Sequence, residues 1–334
     1  MTNIFGEDFP SGITGDYAKE IKQRIIQQMK PTDLFIDSCF LREITPELKK
    51  FLQQPRRNSK LYVWSGPDWD YTYHHKPVGN FLEEFNAHHV GNSSEKKYYF
   101  SFWLSWVRNY LDLFTNFDCY DISDSPKVFM NLNRKPHQHR IKLVSELYAN
   151  NLQNDGYISL GCDINLDIDY LDLPVPIKLN NDITNIEGDK NVYGDAGGIT
   201  NDISSLGSPD KWNDHFLNIV SETTCGYDDE GVFISEKTFK PILGKRPFII
   251  LGDYKLYKKL HDWGIDTFDD ILGDGYKEKL PSDRIEWIIN TVKELKSHKN
   301  LPILLYKLKP RLDNNFKVLM EVALDNELKL DSLI

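Results

Sequence analysis

The chain has 334 residues, a length that favours two domains over one small core. Hydrophobic residues make up 40% of it and charged residues 27%, as is ordinary for a globular protein, and no apolar run approaches the roughly 18–20 residues of a membrane span. The net charge of −10 weighs against a protein whose main task is to grip nucleic acid, although a local basic cleft is compatible with it.

The N-terminal segment and the cysteines favour one cellular compartment. The segment contains no basic stretch followed by an apolar one, so no signal peptide is predicted. Four scattered cysteines lack the spacing of a disulfide framework or a structural zinc site. These features favour a reducing cytoplasm, or the host cytoplasm if the chain is encoded by a virus.

In the first half of the chain, strand-sized apolar runs alternate with patterns of helical spacing. The apolar runs cover 33–38, 60–66 and 97–103, and the helical patterns cover 15–29 and 77–89. This alternation predicts βαβ units and a parallel sheet. The polar, turn-rich stretch 118–127 then predicts a domain boundary, which divides the chain into domains 1–123 and 124–334.

The second half begins with another strand, a polar turn and an amphipathic helix. The predicted strands cover 127–133, 156–161 and 215–223, and the predicted helices cover 141–152, 255–264 and 283–298. Between 162 and 212 the sequence is rich in Asp, Asn, Gly and Pro, with little periodicity. We interpret 162–212 as a long loop excursion of the kind that serves as a lid or an acceptor loop.

The segment "GVFISEKTFKPILGKRPFIILG" (231–252) predicts a strand, a short helix and another strand. Ser235 is a good N-cap and Glu236 suits the positive end of a helix, whereas Lys237 opposes the helix dipole at a cost of roughly a few tenths of a kcal/mol. Gly244 stands where the helix is expected to end. Taken alone, the segment fits a capped surface helix and a functional junction equally well.

Basic side chains follow two strands of the second half. They are Arg134, Lys135, His137, His139 and Arg140 after one strand, and Lys237 and Lys240 after another. In a parallel α/β sheet such junctions meet at the carboxyl edge, where ligands bind and helix N-termini offer free N–H groups. In a chain of net charge −10, two basic junctions at this edge predict a site for a phosphate or diphosphate. A solvated basic turn is the alternative.

The stretch "SGPDWDYTYHH" (65–75) follows a predicted strand of the first half. Asp68 and Asp70 are candidates for a general base or for binding hydroxyl groups. A polar surface loop with a half-buried tryptophan is the competing interpretation. Since the sequence shows no Walker-type loop and no local signature of a Ser-His-Asp or Cys-His site, a hydrolase or a kinase has no support.

The segment 216–252, "FLNIVSETTCGYDDEGVFISEKTFKPILGKRPFIILG", resembles the donor-binding segment of the family 10 glycosyltransferases, the α1,3-fucosyltransferases. In that family an apolar strand ends near Glu-Asn-Ser, and Tyr-Val/Ile-Thr-Glu-Lys, a helix and a strand ending in Gly follow. Here Ser221-Glu222-Thr223 stands at the first element, and Phe233-Ile234-Ser235-Glu236-Lys237 stands at the second. The pattern "LNRKPHQHR" followed by "SEKTFKP" also resembles viral and bacterial glycosyltransferase-like proteins.

The resemblance implies an α/β fold class with two facing Rossmann-like domains, the GT-B type of glycosyltransferase architecture. It also implies that Glu236 binds the donor ribose and that Lys237 binds the diphosphate, together with an Arg of the earlier turn, either Arg134 or Arg140. The donor-binding residues predicted from the two junctions and from the resemblance are Arg134, His137, Arg140, Glu222, Ser235, Glu236, Lys237 and Lys240.

The resemblance and the basic junctions together predict a nucleotide-sugar-dependent glycosyltransferase. It would move fucose, a hexose or a pentose to a hydroxyl acceptor, most simply a glycan, with cations of the chain in place of a metal cofactor. GDP-sugars are the favoured donors, and GDP-fucose leads them, although Thr223 stands where the family has Asn and the basic His-x-His turn is not typical of it. Two alternatives stay open: a viral DNA-modifying glycosyltransferase that acts on a hydroxylated base, and a non-catalytic protein that binds nucleotides or glycans.

Overall fold

The computed structural model describes a defined part of the chain. The described residues are 3–5, 20, 23–30, 33–37, 50, 60–64, 84–85, 87–90, 104, 107, 122–181, 183–184, 209–225, 234–253, 255–278 and 280–332. The chain divides into two compact units. The first comprises Met1–Asn109, Asp228–Phe233 and Glu321–Ile334, and the second comprises Tyr110–Tyr227 and Ile234–Met320. The described residues of each unit contain one sheet.

The described sheet of the first unit has four parallel strands in the order β1-β2-β3-β4. They are β1 (Asn3–Phe5), β2 (Leu34–Asp37), β3 (Leu61–Trp64) and β4 (His88–Val90). The buried Asp33 carboxylate accepts hydrogen bonds from the main-chain N–H groups of Lys30 and Lys60, at 3.0 and 2.7 Å. Asp33 therefore ties together the starts of β2 and β3.

The structure confirms some of the elements predicted for the first half of the chain and differs from others. The strands predicted at 33–38 and 60–66 are confirmed as β2 and β3, and the one predicted at 97–103 lies outside the described residues. Strand β4 differs from the prediction. The helical pattern was predicted to cover 77–89, but His88 and His89 pair with β3. Backbone pairing along a parallel strand outweighs a short helical spacing, which is weak evidence by itself.

The sheet of the second unit has the strand order β7-β6-β5-β8-β9. Its strands are β5 (Lys127–Asn133), β6 (Gly156–Leu160), β7 (Ile183–Thr184), β8 (His215–Ser221) and β9 (Phe248–Leu251). All pairings are parallel except that of the short β7 with β6. Every residue of β6, β8 and β9 is buried, as expected of parallel strands covered on both faces. The predicted α/β class with a mostly parallel sheet is confirmed.

Helices follow the strands of this second sheet along the chain. In chain order they are α1 (Gln138–Ala149), α2 (Pro209–Asn213), α3 (Glu236–Leu243), α4 (Leu256–Trp263), α5 (Asp269–Leu272), α6 (Pro281–Ser297) and α7 (Leu301–Ser332). Helix α1 packs against β6 and α6, α3 packs against β8 and β9, and α6 packs against β5 and β9. Within the described ranges, no helix has both the length and the apolar character needed to cross a bilayer.

Helix α3 is fixed at both ends by its own sequence. Ser235, the N-cap, accepts a hydrogen bond from the Lys237 N–H through its hydroxyl at 3.3 Å. At the other end the Trp212 indole donates to the Gly244 carbonyl at 2.8 Å. A Cβ at Gly244 would collide with the Trp212 ring, so a residue without a side chain is required there. The position of α3 against the sheet follows from these two ends.

The strand order of the second unit reverses between β5 and β8. From β5 the chain passes through α1 to β6 on one side, whereas β8 and β9 lie on the other side of β5. Ligands of open α/β sheets bind outside the carboxyl ends of the strands at such a reversal. A ligand site is therefore expected at the residues that follow Asn133 and Ser221.

Candidate functional site

A ladder of buried polar side chains runs through the sheet toward this edge. The Asn131 amide donates to the Ile219 carbonyl at 2.8 Å and to the Ser221 hydroxyl at 3.2 Å. The Asn133 amide donates to the Asn131 side-chain oxygen at 2.6 Å and to the Ser159 carbonyl at 3.1 Å. Because polar groups inside a sheet must find partners there, the ladder fixes the ends of β6, β5 and β8 relative to one another.

Arg140, in the first turn of α1, joins the junction after β5 to the end of β8. The residue is only 3% exposed. One terminal nitrogen donates to the Ser221 and Glu222 carbonyls at 3.0 and 2.9 Å, and the other donates to the Lys135 carbonyl at 3.0 Å. Burial lowers the pKa of Arg140 to about 10, so its guanidinium remains charged at neutral pH. Arg134, at the start of the same junction, is exposed.

Two histidines of the same turn are held neutral. The rings of His137 and His139 stack with 6.0 Å between their centroids, and His139 Nε2 lies 2.8 Å from the Glu222 carbonyl. A carbonyl oxygen only accepts, so His139 carries its proton on Nε2. Burial, followed by the charge of Arg140, lowers the pKa of His139 to about 3, and the same causes together with Lys135 and Lys237 lower the pKa of His137 to about 4.

These pKa values predict that acid destabilises the protein. Between about pH 6.5 and pH 4 the unfolded chain binds protons at these histidines and the folded chain does not, so the free energy of unfolding falls as the pH falls. Replacing His139 by Gln should reduce this slope by about 1.4 kcal/mol per pH unit, measured by urea unfolding at several pH values. Gln138→Ala, an exposed and non-titrating neighbour, should leave the slope unchanged; an unchanged slope in His139→Gln would contradict the assignment.

Glu222, immediately after β8, accepts hydrogen bonds from the residues at the start of α3. Its side chain is fully buried, and one carboxylate oxygen accepts from the Ser235 N–H at 3.0 Å and the Thr238 hydroxyl at 2.6 Å. The other oxygen accepts from the Ser235 hydroxyl at 2.6 Å and the Thr223 N–H at 3.2 Å. The start of α3 is therefore bound to the end of β8 through one carboxylate.

Glu236 and Lys237 begin α3 as an ion pair, with Lys237 Nζ 2.7 Å from Glu236 Oε1. The Lys237 side chain is 32% exposed and that of Glu236 is 8% exposed. Burial raises the pKa of Glu236, but the charge and hydrogen bond of Lys237, with the charge of Lys240, outweigh burial, so the pKa lies below its ordinary value. Among the described residues nothing donates to the buried Glu236 Oε2. The junction thus presents a partly exposed ammonium beside a carboxylate oxygen that can accept another hydrogen bond.

Arg284 of α6 reaches the same edge, and sequence reasoning missed it. The residue is 1% exposed; one terminal nitrogen donates to the Gly252 carbonyl and the other lies 3.6 Å from Cys225 Sγ. Gly252 follows β9 and lies against Glu222, since a Cβ on it would come 3.2 Å from Glu222 Cβ. In the sequence Arg284 stands in the first turn of an amphipathic helix, like an ordinary surface residue, so no local signal marks it.

The structure brings the predicted residues of both junctions to one edge of one sheet. They are Arg134, His137, Arg140, Glu222, Ser235, Glu236, Lys237 and Lys240. Cations outnumber carboxylates among these eight residues, although the whole chain has a net charge of −10. Asp68 and Asp70 lie outside the described residues.

Comparison of the chain with protein-family models, with curated protein sequences and with solved structures finds no match. Across the part of the chain that the structure describes, no group of three or more His, Cys, Asp or Glu side chains is arranged to hold a metal ion. The candidate site is therefore defined by its own geometry, as a basic carboxyl edge where two strand-to-helix junctions are hydrogen-bonded to each other.

Proposed function

We propose that the protein is a nucleotide-sugar-dependent glycosyltransferase that binds the diphosphate of its donor at the carboxyl ends of β5 and β8. The observation that carries the proposal is the meeting of two basic junctions at the reversal of the strand order. The hydrogen bonds from Arg140 to the Ser221 and Glu222 carbonyls hold these junctions together. A diphosphate offers one phosphate group to each junction.

The contacts of the two arginines support a division of their roles. Arg140 directs both terminal nitrogens at main-chain carbonyls, so we assign it to positioning the junctions. Arg134 is exposed at the end of β5, and Lys237 is partly exposed at the start of α3. We therefore assign the direct contacts with the diphosphate to Arg134 and Lys237.

The surroundings of Glu236 support the inference that the ligand also carries a sugar hydroxyl. Its Oε2 is buried, and no donor for it lies among the described residues, which is costly for a charged carboxylate. A ribose hydroxyl of the donor would donate to this oxygen while Lys237 remains paired with Oε1. A nucleoside diphosphate carries both groups on one molecule: a hydroxyl for Glu236 and a diphosphate for Lys237.

The proposed chemistry needs a cationic site for the leaving group. The bond between the anomeric carbon and the diphosphate oxygen breaks, the acceptor oxygen bonds to that carbon, and the acceptor proton passes to a base. Lys237 and Arg134 stabilise the negative charge that grows on the departing diphosphate, so we propose that transfer requires no metal. Asp68 or Asp70 remains the proposed base.

The proposal includes the GT-B architecture, with two Rossmann-like domains of which the second binds the donor and the first takes the acceptor. The reversed strand order of the second unit supports the donor-binding assignment. The described sheet of the first unit is parallel but sequential in order, so its support is limited to the α/β class.

The test is release of nucleoside diphosphate from a panel of nucleotide sugars, led by GDP-fucose and run with and without EDTA. We expect release from at least one donor, equal rates with EDTA, and a loss of about tenfold or more in Arg134→Ala, because a hydrogen bond to a charged group contributes roughly 1.5–3 kcal/mol. Lys142→Ala, an exposed lysine on α1, is the control and should retain the wild-type rate.

The same assay separates the remaining candidates by acceptor. Stimulation by glycans supports the proposal, whereas stimulation by DNA with hydroxylated bases, weakened by salt, identifies the DNA-modifying alternative. Binding of a nucleotide sugar with neither transfer nor hydrolysis identifies a non-catalytic binding protein and overturns the assignment as an enzyme.

A further inference from the structure

A buried cation that forms no ion pair among the described residues lies beside the candidate site. Arg284 is 1% exposed, and no carboxylate lies within ion-pair distance of it among the described residues. Its Nε is buried and has no hydrogen-bond partner there. Removing a charge from water without pairing it is unfavourable, so the free protein carries a cost that a bound anion would relieve.

The location of Arg284 connects it with both junctions. Its terminal nitrogens contact Gly252, which follows β9, and Cys225, which follows β8. The Cys225 thiol in turn lies 3.5 Å from the Gly252 carbonyl, and Gly252 lies against the side chain of Glu222. Through Glu222, this corner borders the start of α3.

A third buried arginine has a purely structural role in this sheet. Arg246 lies at the opposite, amino edge and is fully buried. Its Nε donates to the His215 carbonyl at 3.1 Å, and its two terminal nitrogens donate to the Lys245 and Trp212 carbonyls at 3.2 and 3.1 Å. All three nitrogens of Arg246 are hydrogen-bonded, whereas Arg284, like Arg140 at the same edge, has a buried Nε without a hydrogen-bond partner among the described residues.

We propose that Arg284 supplies positive charge to the anion site at the carboxyl edge and that the diphosphate of the ligand is its counter-ion. The identity of the ligand as a nucleoside diphosphate rests on the proposed function, but the charge argument needs only an anion. At an effective dielectric constant of about 20, charges that do not touch still attract each other measurably, so this effect does not require direct contact. Arg284 thus acts on the ligand through its charge and does not touch it.

The test is titration with inorganic pyrophosphate of the wild type, Arg284→Gln, Arg284→Lys and Arg246→Gln. We expect Arg284→Gln to raise the dissociation constant about tenfold or more and Arg284→Lys, which keeps the charge, to recover most of the affinity. Without ligand, Arg284→Gln should lower the unfolding midpoint less than Arg246→Gln does. The control Arg246→Gln should lose stability and keep the wild-type affinity for pyrophosphate.

Each outcome decides the question. Equal affinity in the wild type and Arg284→Gln, or equal loss in the Gln and Lys variants, overturns the role of the charge. If neither Arg284→Gln nor Arg284→Met folds, the arginine is a structural requirement and the proposal is wrong. A wild type that binds pyrophosphate but no nucleotide sugar refutes the proposed function alone, and turnover of a nucleotide sugar with unaltered affinity in Arg284→Gln refutes this inference alone.

Discussion

Replacing Glu222 by Ala is expected to lower the free energy of unfolding by about 3–5 kcal/mol. The buried carboxylate accepts hydrogen bonds from Thr223, Ser235 and Thr238, and all of these donors would lose their acceptor at once. Burying unsatisfied donors beside the charge of Arg140 accounts for the size of the effect. Urea unfolding followed by tryptophan fluorescence measures it.

The control for this prediction is another glutamate with no such burial. Glu286 is exposed on α6, and Glu286→Ala should change the free energy of unfolding by no more than about 0.5 kcal/mol. Glu222→Gln, which keeps the shape but presents an amide to donors, should fall between the two. A Glu222→Ala protein as stable as the wild type would show that the start of α3 does not depend on this carboxylate.

Replacing Lys237 by Ala is expected to lower the rate of sugar transfer about 10²–10³-fold, because in the proposed reaction this residue stabilises the charge that develops on the leaving diphosphate. Some stability should be lost as well, because the Glu236 side chain is only 8% exposed and would lose its ion-pair partner, so turnover is compared at a temperature at which both proteins are folded. The measurement compares donor turnover and thermal unfolding of the two proteins.

Lys258→Ala is the matched control for Lys237→Ala. Lys258 also forms an ion pair, with Asp262 at 2.8 Å, but on the exposed face of α4. It should retain both the wild-type rate and the wild-type melting temperature. A Lys237→Ala protein with normal turnover would remove this lysine from the reaction, and a protein that fails to fold would assign it to structure.

The strands of the second sheet could be predicted because each is an apolar run bounded by polar turns. Lys127–Asn133, His215–Ser221 and Phe248–Leu251 are of this kind, and burial on both faces explains why they read as continuous runs. Strand β7 could not be predicted, because two residues, Ile183 and Thr184, carry no pattern. Helix α7 also escaped prediction; Pro310 lies inside it and is usually a sign that a helix ends.

The basic junctions could be predicted because strand ends in a parallel sheet share one edge. The sequence does not reveal which way each charged side chain turns once it is there. Arg140 and Arg134 stand in the same turn, yet one is buried against carbonyls and the other is exposed. Arg284 reaches the edge from a helix far along the chain, and only tertiary packing brings it there.

The edge formed by β5 and β8 is proposed to bind a nucleoside diphosphate. The measurement that tests it most directly is a thermal-shift panel of nucleoside diphosphates and nucleotide sugars, with and without EDTA, on the wild type and Lys237→Ala. We expect at least one nucleotide to raise the melting temperature of the wild type, equally with EDTA, and to raise that of Lys237→Ala less. If no nucleotide shifts the wild type, the claim is wrong and the segment from Ser235 to Lys240 is a capped surface helix.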